Sequence, residues 1–115
     1  MVYEYAFNTE TGSTLYFVSF NAAGEAILSD GLTAEEWGTG GRDADSYDVP
    51  MTEIGSSGHY VGNSNVPAGN NVVAQRICIY LQAGDNPADT DKPLAQGERT
   101  VTEFMIWAVT KVNRS

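Results

Sequence analysis

The 115-residue chain is poor in several residue types, and each shortage removes a class of function. It has one cysteine, Cys78, so no disulfide can form within the chain. It has one histidine, His59. A structural or catalytic zinc site draws on about four Cys, His or carboxylate ligands, and two Cys-plus-His residues in total are too few for the usual sets. Lys and Arg number only six against fifteen Asp and Glu, a formal charge of −9. The six cations, Arg42, Arg76, Lys92, Arg99, Lys111 and Arg114, form no run. A nucleic-acid binder needs clustered cations to displace counterions from phosphates, and an anionic membrane surface makes the same demand. No apolar run approaches the roughly 20 residues that span a bilayer. No charged-then-apolar leader opens the chain, so no signal peptide is expected and synthesis in a cytoplasm is.

The apolar fraction, 42%, suffices for one core. One domain over residues 1–115 is therefore expected. Its periodicity points to strands. Val2–Phe7 is rich in aromatics, and Asn8–Ser13 is turn-prone, with Gly12 as the residue suited to positive φ. Thr14–Phe20 reads as a strand buried on both faces. Asn21–Gly24 reads as a tight hairpin turn and Glu25–Leu28 as the returning strand. From Ser29 to Ser46 the pattern weakens. Thr33 and Glu36 have capping-box spacing, but four residues ahead of a glycine cluster are too few for a helix. The segment reads as a long surface connection tied down by Trp37.

Strand signals resume at Tyr47–Met51, where Pro50 suits an edge strand. Gly55–Gly58 is a turn, and His59–Val61 is extended. Val66–Asn71 is a second turn. Val72–Leu81 is expected to be the longest strand, with Val73, Ile77, Ile79 and Leu81 on one face. Gly84–Pro93 reads as a loop. Arg99–Val112 fits helical spacing at Val101, Met105, Val109 and Val112. Its β-branched and aromatic content favours a strand. The sum is an all-β chain, a single Ig-like antiparallel β-sandwich of about seven strands. Its expected core joins Val73, Ile77, Ile79 and Leu81 to Leu15, Phe17 and Trp107.

Few residues suit chemistry. Ser56, Ser57 and His59 are neighbours in a turn, which seldom gives a nucleophile and its base the right geometry, and no G-x-S-x-G is present. Cys78 lies in an apolar run with nothing tying it to His59. Gly38–Arg42 has the glycines of a phosphate loop but no lysine. Catalytic residues and an organic cofactor are not expected. Calcium is the one metal with oxygen ligands to draw on: Asp43, Asp45 and Asp48 form one group, and Asp85, Asp89 and Asp91 a second. An EF-hand is excluded, because its sixth position would be Asp48 and its twelfth Ile54. The aspartates also suit turns that keep an acidic protein soluble. Trp37, Tyr47, Tyr60 and Trp107 are the aromatic candidates for a sugar platform, Trp37 and Tyr47 foremost, though Trp37 better suits a plug at one end of the core.

One ordered pattern runs through the chain. It comprises Trp37, Tyr47–Glu53, Gly55–Gly62, Val66–Pro67, Ile79–Gly84, Pro87–Ala88, Asp91, Pro93–Leu94 and Gly97–Glu98. This resembles a small β-sandwich domain of proteins from tailed-phage and prophage structural gene regions. The resemblance covers about residues 14–98 and consists of turns, prolines and core aromatics. It implies a fold, no catalytic residues, and a place in a virion. The expected partners are then copies of the chain or other virion proteins, through the apolar segments at Val2–Phe7 and Val101–Val112. The alternative is a carbohydrate- or ligand-binding module using Trp37 and the acidic loops, with a host glycan as ligand.

Overall fold

The computed structural model describes residues 5–66, 75–99 and 104–108, with Arg99 and 104–108 described as backbone only. It is all-β, with two antiparallel sheets. The strands in chain order are β1 (Tyr5–Asn8), β2 (Leu15–Phe20), β3 (Ala26–Ile27), β4 (Ala34–Glu35) and β5 (Val49–Pro50). They continue with β6 (Thr52–Glu53), β7 (His59–Gly62), β8 (Arg76–Leu81), β9 (Lys92–Arg99) and β10 (Phe104–Ala108). The smaller sheet has the order β1-β7-β6 and the larger β10-β9-β8-β2-β3-β4, with β5 also paired to β2. Among the described residues no helix is long and apolar enough to cross a membrane.

β2 organises the packing. Its sequence, Leu-Tyr-Phe-Val-Ser-Phe, is apolar at nearly every position, and successive side chains of a strand point to opposite faces. Leu15 and Phe17 enter a core with Ile77 and Ile79 of β8, Ala95 of β9, and Tyr5 and Tyr60 of the smaller sheet. This core joins the two sheets into a sandwich. Tyr16 and Val18 enter a second cluster on the other face, with Ala26, Ala44 and Tyr47. The expectation of a strand buried on both faces is met for this reason. Of the expected core, Leu81 is half-buried against the first cluster. Val73 and the side chain of Trp107 lie outside the described residues.

The turns follow local chemistry. Gly24 has φ 86°, and the Asn21 side-chain oxygen accepts from the N–H groups of Ala23 and Glu25. Gly58, at φ 77°, passes so close to β1 that a Cβ there would sit 2.4 Å from the Thr9 carbonyl oxygen. Only glycine fits that approach. The Tyr60 hydroxyl donates to the Glu10 carbonyl and accepts from the Ser13 N–H, at 2.7 and 2.9 Å. The backbone it reaches is therefore the β1–β2 turn, fifty residues upstream.

Three expectations are corrected. The segment 29–46 is more than a surface connection, because it contains β4 and two 3-10 turns, Thr39–Gly41 and Ala44–Ser46. The loop expected over Gly84–Pro93 ends two residues early, and β9 occupies 92–99 as the longest described strand. Its Pro, Gly, Gln and Glu disfavour a strand locally. Pairing on both sides, to β8 and to β10, overrides that. A register shift falls where Pro93 meets Tyr80, and a bulge is a place where proline is tolerated in a sheet. Ten strands are described instead of about seven, because four of them are two-residue pairings too short to leave a periodic signal. The ambiguous C-terminal segment is a strand over its described part, 104–108.

Candidate functional site

The chemically richest region lies on the outer face of β2, where two acidic loops, 29–48 and 82–91, fold over the sheet. Asp91 is only 5% exposed. One of its oxygens accepts from the Tyr16 hydroxyl at 2.7 Å and the Ala88 N–H at 2.9 Å, and the other from the Ala83 N–H at 3.2 Å. Burial pushes this carboxyl up. The Ala88 N–H, the Tyr16 hydroxyl and the Ala83 N–H together outweigh it and hold the group below the usual carboxylate range. Burial, and then the bond to Asp91, pushes the Tyr16 hydroxyl far above its ordinary value, so it stays a donor. The Tyr16 ring stacks on Tyr80 with centroids 5.3 Å apart.

A second polar group holds the other loop. Arg42 grips Glu35 through two nitrogens, at 2.6 and 2.5 Å. The Tyr47 hydroxyl donates to the same carboxylate at 2.8 Å and accepts from the Gly38 N–H at 3.0 Å. Arg42 first, with Tyr47 assisting, holds the Glu35 carboxyl low against the opposing effect of burial. This fork geometry is what a planar guanidinium offers a carboxylate.

The aromatic candidates sit beside it. The Tyr47 ring is buried, so it offers no open face for a sugar to stack on. Trp37 is half-buried, 4.7 Å from the Tyr47 ring and 6.2 Å from Phe20. The Arg76 guanidinium lies 5.5 Å over the Phe20 ring. Trp37 thus closes the second cluster from outside. Trp37→Ala is expected to lower stability by about 2 kcal/mol, less than for a fully buried aromatic because part of the ring already meets water. Urea unfolding checks this, and a change under about 0.5 kcal/mol, the scale of an ordinary surface substitution, would make the ring a surface ornament.

The six aspartates do not converge. Asp43 accepts from the Asp45 N–H at the start of a 3-10 turn, and Asp89 accepts from the Ala44 N–H, joining the two loops. Burial, then the charge of Asp45, raises the Asp48 carboxyl. Asp45 and Asp85 are exposed. Among the described residues no three His, Cys, Asp or Glu side chains are grouped to hold a metal ion. The carboxylates placed deepest organise their own loops.

The remaining candidates are placed as follows. Burial pushes the Cys78 thiol up, against smaller opposing effects of Tyr80 and Arg76, which keeps it protonated near neutrality. The His59 ring faces the Asn8 side chain across β7 and β1. The Ser57 hydroxyl accepts from the His59 backbone N–H and donates to the Ile54 carbonyl, so it serves the turn and not the ring. Sequence reasoning missed Tyr16–Asp91 and Glu35–Arg42–Tyr47. No spacing announces them, since Tyr16 and Asp91 lie 75 positions apart.

The sheet boundaries among the described residues are the other notable feature. β1 and β6 bound the smaller sheet, and β10 and β4 the larger. Among the described residues the first and last strands therefore both bound their sheets. No family model, curated protein or solved structure matches the chain.

Proposed function

We propose that the protein is a non-enzymatic assembly subunit, a β-sandwich of a virion tail, neck or head surface, acting through protein–protein contacts. One observation carries the reading: β1 and β10 each pair on one side only among the described residues, and each bounds a different sheet. A strand edge presents unpaired N–H and C=O groups, which is the material of strand addition between chains. The likeness to tailed-phage and prophage structural domains supplies the setting.

The test is where the chain goes. Particles purified from cells that carry the gene are separated on a density gradient and probed by mass spectrometry. The chain is expected in the particle fraction at a stoichiometry of several copies per particle. Its confinement to the soluble fraction would refute the reading.

A further inference from the structure

The sequence holds a single Asp or Asn followed by glycine, Asp30–Gly31. Such a pair is suited to a reaction within the main chain. Glycine has no Cβ to shield its nitrogen, and its free φ lets that nitrogen swing toward the preceding carboxyl. The turn between β3 and β4 requires this glycine. Gly31 has φ 75° and is buried, and a Cβ there would overlap the Asn65 carbonyl. The fold thus imposes a reactive pair on the turn.

The same turn holds the reacting groups in place. The Gly31 N–H donates to the Leu28 carbonyl at 2.8 Å. One Asp30 carboxylate oxygen accepts from the Leu32 N–H at 2.9 Å, beyond the Gly31 nitrogen. The Leu28 N–H donates to the Thr33 carbonyl at 2.9 Å and closes the turn. Asn65 grips it from outside, because its Nδ2 donates to the carbonyls of Leu28 and Ser29 at 2.9 and 3.1 Å. Ser29 is anchored again to the strap that follows. Its N–H donates to the Ser46 carbonyl at 3.0 Å, and its hydroxyl reaches the carbonyls of Ser46 and Asp48. Asp30 itself is exposed, so water reaches its carboxyl.

We infer that Asp30–Gly31 is a site of isoaspartate formation, closed in the folded turn and opened when the turn lifts off Asn65. The Gly31 nitrogen attacks the carboxyl carbon of protonated Asp30 and forms an N–Cγ bond. The nitrogen's proton and the carboxyl hydroxyl leave as one water, giving a cyclic succinimide. One water then opens the ring at either carbonyl. One opening restores the original peptide bond, and the other leaves the main chain running through the Asp30 side chain. No oxidant or other reactant is needed. The β-linked product has one more main-chain atom, which moves Gly31 off the close fit to Asn65. The rate follows the fraction of time the turn is open, a local event distinct from global unfolding.

The experiment incubates the wild-type chain near neutral pH, folded in buffer and unfolded in concentrated urea. Peptide mapping by mass spectrometry follows isoaspartate at position 30 and the succinimide, which is lighter by one water. Isoaspartate is expected to accumulate at least about tenfold more slowly in the folded chain, because only the open fraction reacts. Rates within about threefold of each other overturn the closure, since a pinned turn then gives no protection. No isoaspartate at position 30 in urea overturns the site itself. Asn65→Ala removes the side-chain grip on Leu28 and Ser29. Shown to be folded by circular dichroism, it is expected to react several-fold faster than folded wild type. A folded Asn65→Ala that reacts at the wild-type rate overturns the inference as well. If that variant does not fold, the comparison of folded and unfolded wild type decides alone.

Discussion

Phe17→Ala is expected to cost about 3–5 kcal/mol of folding stability, the usual range for emptying a buried aromatic site. Phe17 has no exposed surface. Its ring meets Tyr5 edge-on at 4.9 Å and 75°, so it joins β2 of the larger sheet to β1 of the smaller. It also fills the space above Gly62 of β7, where a Cβ would come within 3.1 Å of the ring. Removing the ring therefore opens a cavity between the two sheets, and a glycine cannot reach in to fill it. A domain of this size has a total stability of about 5–15 kcal/mol, so the loss is a large share. Thermal unfolding should fall by roughly 12–20 °C at about 4 °C per kcal/mol. A loss below about 1 kcal/mol would mean that the sheets do not share this core.

Asp91→Ala is expected to cost about 3 kcal/mol by a different route. It leaves the Tyr16 hydroxyl and the N–H groups of Ala83 and Ala88 without their acceptor, and a buried donor left unpaired costs about 1–3 kcal/mol. Water admitted to the loop satisfies part of this, which keeps the total below the simple sum. Asp91→Asn retains one acceptor oxygen and should fall between the two. The pH dependence has a definite sign. The folded carboxyl is held below its unfolded value of about 3.9, so the folded state favours the ionised form. Its contribution is complete above the unfolded value and is lost as pH falls through the folded one. In an acid titration of stability, the wild type should therefore lose more than Asp91→Ala as the pH drops below about 4. Parallel curves would show that Asp91 contributes no charge-dependent stability.

These two residues mark the limits of sequence reading in this chain. Phe17 was legible, because it stands in a strand apolar at nearly every position and next to a clear turn. Asp91 was legible only as one more aspartate in a polar loop, fit for calcium or for solubility. Its partner Tyr16 is on a strand far upstream, and nothing local records that the two meet. Tyr47 shows the same limit from the other side. It reads as a surface aromatic beside an acidic loop, and it is buried because Glu35, Arg42 and Gly38 fold around its hydroxyl.

What the sequence by itself determined is the part governed by neighbours in the chain. Alternating and continuous apolar runs made β2 and β8 strands, and glycines at positive φ, Gly12, Gly24, Gly55 and Gly58, placed the turns. The all-β class followed from these. What only the tertiary structure decided is the part governed by distant partners. β9 is a strand because β8 and β10 hydrogen-bond it on both sides, against its own composition. The aspartates have their roles because backbone N–H groups elsewhere converge on them, and among the described residues β1 and β10 bound their sheets because of the order in which the strands pair. Hydrogen bonds and burial are satisfied in space, and a local run of residues carries no information about which distant group will satisfy them.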